Sequence, residues 1–405
     1  MTSPLYRGSV KDVLGPVKWA GQDAVLFDYS DAFSVFDWGK MPDSLPRKGE
    51  ALATLAAHWF ESLERPATWK DFSKTPEALA LRKGNRFGVA FNELGEKLQS
   101  EGLRTHYLGA LAGTPSGRAA SLSVDRFQES DAQPLDRLGS TPAQGIVVRQ
   151  VSVVKPRMVS VLGRSVPDYS STSAARTPRL VACEVVFRFG CPAGSSLIER
   201  VERDPSYLAS RGFPEARVHV GVAWEFPVLE MFTKLETTDR PLGMNEGLSV
   251  SGLSAEKLQE LLLTTAWVAG WLRSNCARAG LELADGKLEW GVDEAGRLLL
   301  VDAIGPDELR LLKGGIQLSK EFLRGFYRGT SWYAALGQAK SQAEKSGSSD
   351  WKRGVAEAVP KLPAKHREAA VQVYLALTNH LTGKNWFPEA WSLDRVVSEL
   401  REISE

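Results

Sequence analysis

Cysteine and histidine are scarce in this sequence, which has three cysteines and five histidines among 405 residues. It contains no Cys-x-x-Cys pair and no two histidines at helical spacing, so we do not expect a structural zinc site. The low and odd number of cysteines argues against a disulfide scaffold and favours a reducing compartment. Neither zinc nor a set of disulfides is therefore expected to stabilise the fold.

A net charge and long hydrophobic runs are also lacking. Fifty lysines and arginines are balanced by 49 aspartates and glutamates, which leaves a formal charge of +1. This balance removes the electrostatic argument for bulk binding to nucleic acid or to a membrane surface, although it allows a local basic pocket. No apolar run reaches about 18 residues, and the N-terminus has no apolar signal segment. We therefore expect a cytoplasmic protein with no nucleic-acid or membrane partner.

The bulk composition is that of an ordinary globular protein. Hydrophobic residues make up 43% of the chain and charged residues 24%, which is ample material for a core. At roughly 150 residues per domain, the length corresponds to two or three domains or to one large two-lobed domain.

Hydrophobic periodicity and turn residues predict a mixture of strands and helices. The clearest helix covers residues 254–279, with Ser254 as its N-cap and Gly280 just beyond its end. Gly15-Pro16 indicates a turn. The other predicted segments are strands at 5–14, 24–29, 146–154 and 180–189, a helix at 50–64, polar loops at 112–145 and 160–178, mostly helical stretches at 316–345 and 351–405, and a linker at 345–349.

A β-hairpin is predicted from two strand-like segments, 287–292 and 297–302. The residues between them, Asp-Glu-Ala-Gly, are typical of a four-residue turn. Such a turn would pair Val292 with Arg297, and extending this register would place Lys287 opposite Asp302.

Charged residues follow one face of this hairpin. Because side chains alternate along a strand, Asp285, Lys287 and Glu289 would share a face, with Asp302 across from them. Carboxylates at this spacing could share one hard cation such as Mg²⁺, with substrate phosphates completing its shell. A solvated strand face held by ion pairs is the alternative explanation of the same pattern.

Three weaker features could bind anions. Gly8 at a strand turn, followed by Lys11, could cover nucleotide phosphates, or could be an exposed turn. Arg188 at a strand end, followed by a Gly-Ser turn with Ser195, suits an anionic group, or forms a structural turn. Arg310 and Arg324 could clamp a phosphorylated substrate, or could be surface arginines.

Taken in order, these features resemble the SAICAR synthetase (phosphoribosylaminoimidazole-succinocarboxamide synthase) family. The resemblance covers roughly residues 5–330, and the hairpin is its most specific part. The matching motifs are LYRGSVK, RKGEAL, VVRQVSVVKP, CEVVFR, GSSL, FTKLETTDR, LADGKLEWGVDEAGRLLLVD, PDELR and SKEFLRGFY.

The resemblance implies a two-lobed α+β fold with ATP in the cleft between the lobes. The implied regions are an N-terminal β-rich lobe at 1–155, an ATP and substrate lobe at 156–335 and a helical C-terminal extension at 336–405. The implied reaction joins L-aspartate to the carboxylate of carboxyaminoimidazole ribonucleotide (CAIR), with ATP as co-substrate and Mg²⁺ as cofactor. The products are SAICAR, ADP and phosphate, and the reaction is a step of purine synthesis. The resemblance does not imply an oligomeric state.

The resemblance also implies roles for individual residues. Glu289 and Asp302 are similar to the magnesium carboxylates of the family, and Lys287 and Asp285 are expected to take part in catalysis. Residues implied to bind ATP are Gly8, Lys11 and Val153. Residues implied to bind the other substrates are Arg188, Ser195, Ser196, Lys234, Asp239, Arg310 and Arg324.

Four positions depart from the pattern of many members. Ser9 stands where they have a second lysine, Ala303 where they have Glu, Leu309 where they have Ser, and Ser319 where they have Asp. These changes leave three alternatives: a ligase of the same fold that activates another carboxylate, a phosphotransferase with another acceptor, and a nucleotide-binding scaffold without catalysis.

Overall fold

The computed structural model of the chain describes residues 4–112, 124–174, 176–236, 238–346 and 350–404. Contacts between residues divide the chain into two units that are each assembled from separated segments. The first unit comprises Met1–His58, Tyr107–Arg149 and Gly305–Glu405, and the second comprises Trp59–His106 and Gln150–Ile304. The division into consecutive regions at 1–155, 156–335 and 336–405 stays a prediction.

The elements confirm the predicted mixture of helices and strands. In chain order, the described strands are β1 (Tyr6–Arg7), β2 (Lys11–Trp19), β3 (Gln22–Tyr29), β4 (Tyr107–Ala112), β5 (Ala132–Gln133), β6 (Ala143–Arg149), β7 (Arg157–Val161), β8 (Arg164–Asp168), β9 (Arg179–Gly190), β10 (Ala223–Thr233), β11 (Pro241–Leu242), β12 (Glu282–Val292), β13 (Leu298–Val301), β14 (Leu309–Lys313) and β15 (Ile316–Gln317). The described α-helices are α1 (Lys48–Glu64), α2 (Pro66–Phe72), α3 (Pro76–Lys83), α4 (Val89–Glu101), α5 (Ser196–Arg203), α6 (Met244–Ser251), α7 (Ala255–Arg278), α8 (Lys320–Arg328), α9 (Ser331–Ser346), α10 (Ala364–Thr382) and α11 (Leu393–Ser404).

An antiparallel sheet with strand order β1-β2-β3-β6-β4-β5 lies in the first unit. Residues that alternate along β3, such as Ala24 and Leu26, point to the same face and are fully buried there. They form an apolar cluster with side chains from the neighbouring strands, and burial of this surface favours folding. The cluster consists of Val17, Ala24, Leu26, Leu111, Ala132 and Val147.

Gly15-Pro16 does not form the predicted turn, because it lies inside β2. The register of β2 against β3 shifts between Leu14 and Val17, so the proline sits at an irregularity of the ladder. Proline has no N–H to donate to a neighbouring strand, and such irregularities tolerate it. The chain instead reverses at Ala20 and Gly21, which both have positive φ angles. The strands predicted on either side are confirmed by β1, β2 and β3.

The second unit contains another antiparallel sheet, in which β9 lies between β10 and β12, β11 pairs with β10, and β13 pairs with β12. The long helix α7 contacts this sheet, where the indole of Trp290 donates to the hydroxyl of Thr265 at 3.0 Å. Ser254 caps α7 by accepting from the N–H of Lys257, and Gly280 has a φ of +66° just beyond its end, as predicted. A methyl group on Gly95 of α4 would lie 2.3 Å from the ring of Trp267, so only glycine permits this approach.

Two of the predicted loops contain strands. The segment at 160–178 holds most of a hairpin, β7 with β8, in which Val159 pairs with Val166. The segment at 112–145 includes β5 and the start of β6, and its residues 113–123 lie outside the described residues. The strand predicted at 146–154 ends at Arg149. These strands are short, and β7 and β8 are largely exposed, so the sequence carries no strong hydrophobic alternation there.

The predicted helices at 50–64, 316–345 and 351–405 correspond to α1 and to α8 through α11. The predicted linker at 345–349 overlaps the end of α9, and its residues 347–349 lie outside the described residues. No helix in the described part of the chain is both long enough and apolar enough to cross a bilayer.

Candidate functional site

Two carboxylates face each other on neighbouring strands of the second unit. Glu184 on β9 pairs in register with Glu289 on β12, so both side chains leave the same face of the sheet. Both are nearly buried, with side-chain exposures of 9% and 6%. Like charges at directly opposed positions repel each other, so this arrangement requires nearby cations.

Two lysines supply that positive charge. The ammonium group of Lys287 on β12 lies 2.8 Å from the Oε2 atom of Glu184 and 3.3 Å from the Oε1 atom of Glu289. Lys234, directly after β10, donates a hydrogen bond to Glu289 and lies 3.9 Å from Glu184. About a third of each lysine side chain remains exposed, so both ammonium groups are partly accessible to a ligand.

The electrostatics of this cluster favour charged lysines. Burial alone would lower the pKa of Lys287, but the charges of Glu289 and Glu184 raise it well above its ordinary value. The pKa of Lys234 is also raised, because Glu289 outweighs the effect of burial. Burial and the negative charge of Asp302 raise the pKa of Glu289 against the pull of both lysines. The cluster therefore holds two positive charges beside two nearly buried carboxylates.

Asp302 adds a further carboxylate after β13. Its backbone has a φ of +68°, in the left-handed region that Asp tolerates better than most residues. Its carbonyl oxygen lies 3.0 Å from the Nε2 atom of His106. Strained conformations of this kind persist where the surrounding structure holds them in place, often at functional sites.

Glu289 and Asp302 fit the chemistry of a Mg²⁺ site. Carboxylate oxygens are hard ligands, and Mg²⁺ usually takes only one or two of them and leaves other positions to water or phosphate. The charge of Asp302 contributes to the raised pKa of Glu289, so the two carboxylates are close enough to interact. Among the described residues, no group of three or more His, Cys, Asp or Glu side chains is arranged to hold a metal ion.

The hairpin that carries these residues differs from its predicted register by one position. Val292 pairs with Leu298, and not with Arg297. The Oδ1 atom of Asp293 accepts from the N–H groups of Ala295 at 2.9 Å and Arg297 at 2.8 Å, which makes the turn one residue longer. The side chain of an aspartate in the turn thus decides the pairing of the strands that follow.

The prediction that Asp285, Lys287 and Glu289 share one face of β12 is confirmed, but the predicted pairing of Lys287 with Asp302 is wrong. In the ladder between β12 and β13, Glu289 pairs with Val301, so Lys287 does not lie opposite Asp302 as predicted. Asp285 and Glu289 leave the same face of β12 as Lys287. The residues of this face form ion pairs, as in the alternative explanation of a solvated strand face. These ion pairs are largely buried and not solvated.

A second ionic cluster lies farther along the same face. Arg188 is opposite Asp285, and its guanidinium donates to Glu230 of β10 and, at 3.3 Å, to Asp285. Glu230 also accepts from Arg200 at 2.9 Å and from the hydroxyl of Tyr207 at 2.7 Å. Arg188 and Glu230 are almost completely buried, so these contacts form an internal network.

The ion pairs of this network favour the charged forms of Glu230 and Arg188 and the neutral form of Tyr207. Burial opposes ionisation of Glu230, but Arg188 and Arg200 outweigh it and lower the pKa of Glu230. The carboxylates likewise outweigh burial at Arg188 and raise its pKa. Burial and the charge of Glu230 raise the pKa of Tyr207, so its hydroxyl remains a donor. The role of Arg188 toward a substrate stays a prediction.

Glu184 and Glu230 are two acidic residues of these clusters that the sequence did not single out. Glu184 lies four positions before Arg188 in the same strand, so alternation alone would have put both on one face. Glu230 is the acid in the buried part of β10, and an acid among buried apolar residues indicates a buried ion pair.

Four other predicted residues lie apart from these ion pairs. Ser195 is buried at the N-cap position of α5, with its hydroxyl beside the thiol of Cys191, and Ser196 is the exposed first residue of that helix. Asp239 and Val153 are exposed. Their binding roles stay predictions.

In the first unit, the predicted glycine turn has a geometry that only glycine permits. The N–H of Gly8 donates to the carbonyl of Lys11 at 3.0 Å, and a methyl group on Gly8 would lie 2.3 Å from that oxygen. The turn connects β1 with β2 and brings their chains close together. The ammonium group of Lys11 lies 4.6 Å from the centre of the Phe27 ring. Such a cation–π contact orients the lysine without neutralising it.

This turn lines a cavity of about 680 Å³. Gly8 and Ser9 form one wall, and Lys320 and Arg324, one turn apart on α8, form another. The structure therefore brings together Gly8 and Arg324, which the sequence assigned to different ligands. Cations outnumber acids in the lining, which consists of Tyr6, Arg7, Gly8, Ser9, Ser34, Phe36, Asp37, Gly39, Lys40, Lys320 and Arg324. Such a cavity suits an anionic small molecule.

Arg310 and Arg324 converge on one carboxylate beside this cavity. Glu321 accepts from Arg324 at 2.7 Å and lies 3.9 Å from Arg310, while its other oxygen accepts from Arg328 at 3.0 Å. Burial opposes ionisation of Glu321, but the arginines outweigh it and lower its pKa. Three guanidinium groups around one carboxylate leave an excess of positive charge.

Comparison with known proteins identifies a family that this chain matches over most of its length. The family model described as SAICAR synthetase matches residues 4–90 and 139–338. A relative from Archaeoglobus fulgidus, provisionally named phosphoribosylaminoimidazole-succinocarboxamide synthase, is 32% identical over 98% of this chain and 100% of its own length. A phosphoribosylaminoimidazole-succinocarboxamide synthase from Thermoplasma volcanium is 23% identical over 94% of this chain and 99% of its own length.

The fold is also similar to that of a solved structure. A SAICAR synthase from Saccharomyces cerevisiae, solved in complex with SAICAR, has a TM-score of 0.53 with 18% sequence identity. The match covers 95% of this chain and 96% of the yeast chain. At this identity the similarity is evidence for the fold alone.

Proposed function

The chain belongs to the SAICAR synthetase family, and on this premise we propose that it catalyses the ATP-dependent ligation of L-aspartate to CAIR. The balanced reaction is ATP + CAIR + L-aspartate → SAICAR + ADP + phosphate. Phosphoryl transfer to the carboxylate of CAIR activates its carbonyl carbon. The amine of aspartate then attacks that carbon, an amide bond forms, and phosphate leaves with the bonding electron pair.

The paired carboxylates and lysines on β9 and β12 carry this proposal. Phosphoryl transfer depends on positioning and on neutralisation of phosphate charge more than on a covalent nucleophile. Lys287 and Lys234 hold fixed positive charges, since Glu184 and Glu289 keep the pKa of each lysine above its ordinary value. Both ammonium groups are partly exposed, so they can also contact an anionic ligand.

Glu289 and Asp302 would hold Mg²⁺ when ATP binds. The ion would neutralise charge on the phosphates, which protein lysines do only in part. The pKa of Glu289 is raised, so a further cation beside this carboxylate would stabilise its ionised form. Asp302 is held in place by its backbone and by the contact of its carbonyl with His106.

The basic cavity of the first unit supports binding of an anionic group of a substrate. Arg324 and Lys320 point cationic groups to the space that the Gly8 turn also lines. Many family members have a second lysine where this chain has Ser9, and the same cavity contains Lys40. We propose that Lys40 and Lys320 supply the positive charge that Ser9 lacks, and that Gly8 and Lys11 contact ATP.

The experiment that tests the function is ADP release with ATP, Mg²⁺, CAIR and aspartate, omitting one component at a time. Release that needs all four components is the expected result. Release without aspartate but with another nucleophile would indicate a phosphotransferase or another ligase of this fold. Absence of release under every condition would contradict an enzymatic function.

A further inference from the structure

A helix outside the family match reaches the residues of the basic cavity. The family model ends at residue 338, whereas α10 covers Ala364–Thr382. Both α10 and the cavity belong to the first unit. The hydroxyl of Tyr374 on α10 donates to the Oδ1 atom of Asp307 at 2.6 Å. This contact joins the C-terminal extension to the PDELR motif.

Asp307 connects that hydroxyl to Lys320. Its Oδ2 atom accepts from Lys48 at 2.8 Å and lies 4.0 Å from the ammonium group of Lys320. The side chains of Lys48 and Asp307 are essentially buried, with exposures of 0% and 2%, whereas that of Lys320 is 20% exposed. Lys320 is therefore the member of this network that reaches the cavity.

Burial lowers the pKa of the Lys48 ammonium group, although the charge of Asp307 acts in the opposite direction. Burial opposes ionisation of Asp307, but Lys320 and Lys48 outweigh it and lower its pKa. Burial and the charge of Asp307 raise the pKa of Tyr374 well above its ordinary value. The tyrosine therefore remains a proton donor, and the aspartate remains an anion. One carboxylate shared by two ammonium groups leaves Lys320 with positive charge for another anion.

We propose that Tyr374 and Asp307 are positioning residues that hold the Lys320 ammonium group in the cavity, where it binds an anionic small molecule of the phosphate or carboxylate class. The inference rests on the proposed function only in treating the cavity as part of a ligand site. The hydroxyl of Tyr374 donates a hydrogen bond to one oxygen of Asp307, and the ammonium group of Lys48 donates to the other. Without the hydroxyl, the carboxylate turns toward Lys320 and draws the ammonium group away from the cavity.

Pyrophosphate binding, measured by calorimetry without other substrates, tests the proposal. Tyr374→Phe removes one buried hydrogen bond to a charged group, so we expect pyrophosphate binding to weaken about three- to tenfold. Lys320→Gln should also weaken it. When Lys320→Gln is already present, adding Tyr374→Phe should change the affinity less than about twofold, because the tyrosine acts through the lysine.

Tyr327→Phe is the matched control. Tyr327 is a buried tyrosine of α8 whose hydroxyl has no hydrogen-bond partner among the described residues. Its substitution should leave pyrophosphate binding unchanged, and thermal unfolding should show that all variants are folded.

Three results would overturn the proposal. They are no pyrophosphate binding by the unaltered protein, unchanged binding in Lys320→Gln, and an equal effect of Tyr374→Phe with and without Lys320. The second of these needs no tyrosine variant, so the test survives if Tyr374→Phe fails to fold. Because no ligase turnover is measured, failure here is distinct from failure of the proposed function.

Discussion

Lys287 and Glu184 are 103 positions apart in the sequence, yet their charged groups lie 2.8 Å apart. The same ammonium group contacts Glu289, so one lysine stands between two buried carboxylates. Removing the lysine would leave these acids opposed with only Lys234 to compensate them. The ion pairs of Lys287 with Glu184 and Glu289 therefore contribute to the stability of the fold as well as to the proposed chemistry.

Lys287→Met should lower the free energy of unfolding by about 2 kcal/mol at pH 8, below the 3–5 kcal/mol of fully buried pairs because the lysine is partly exposed. The loss should be smaller at pH 5, because burial and Asp302 raise the pKa of Glu289 and this carboxyl group can then take up a proton. Urea unfolding at both pH values measures this. Lys257→Met is the matched control: that lysine is 31% exposed against 32% for Lys287, but its pair with Glu260 lies within one helix. A change within about 0.5 kcal/mol is expected there.

Asp302→Asn should reduce Mg²⁺-dependent ADP release by about 100-fold or more while leaving the fold intact. The reason is that the amide lacks the charge that a hard cation requires, yet Asn also tolerates a positive φ. ADP release over a range of Mg²⁺ concentrations measures the effect, and the exposed turn variant Glu294→Gln serves as a control. Near-normal release in Asp302→Asn would contradict the metal assignment.

Arg324→Ala should raise the KM for CAIR by about tenfold, since a charge-assisted hydrogen bond to an anion would be lost. The KM for ATP should change less than about twofold. Arg328→Ala is a suitable comparison, because Arg328 contacts the same Glu321 at 3.0 Å but does not line the cavity. Equal increases in both KM values would indicate that Arg324 has a structural role.

Glu64 should make stability depend on pH. Burial and nearby Glu61 raise its pKa to about 7, although its hydrogen bond from Thr105 at 2.5 Å acts in the opposite direction. The folded state then holds a proton that the unfolded state has lost, so stability should fall as pH rises from about 4.5 to about 7, by at most about 3 kcal/mol. Glu64→Gln should remove this dependence of the free energy of unfolding on pH. Urea unfolding between pH 5 and pH 8 would measure it. Glu101→Gln, at an exposed ion pair with Arg104, should leave the slope unchanged.

Elements with local signals were predicted well. The helix α7 has its Ser254 cap and its terminal Gly280 within one stretch of sequence, and the structure confirms both. The common face of Asp285, Lys287 and Glu289 follows from strand alternation alone, and it is also confirmed. These features depend on residues a few positions apart, so no distant contact is needed to infer them.

Features set by hydrogen bonds outside the local pattern were not predicted. The hairpin register depends on the side chain of Asp293, which accepts two backbone N–H groups and lengthens the turn. Gly15-Pro16 lies within β2 because β3 pairs along both sides of the irregularity. The local residues are the same whether Gly-Pro forms a turn or lies within a strand, so the sequence alone favoured a turn, which is the more common structure for Gly-Pro.

The sequence by itself determined the α+β class, the main helices and strands, the residues of the charged hairpin face and the family resemblance, because all of these depend on local patterns or ordered motifs. The tertiary structure decided the partners. Only folding places Glu184 against Glu289, Glu230 against Arg188, and Tyr374 of the last third of the chain against Asp307. These pairs arise because a buried charge must find a compensating group, wherever in the chain that group lies.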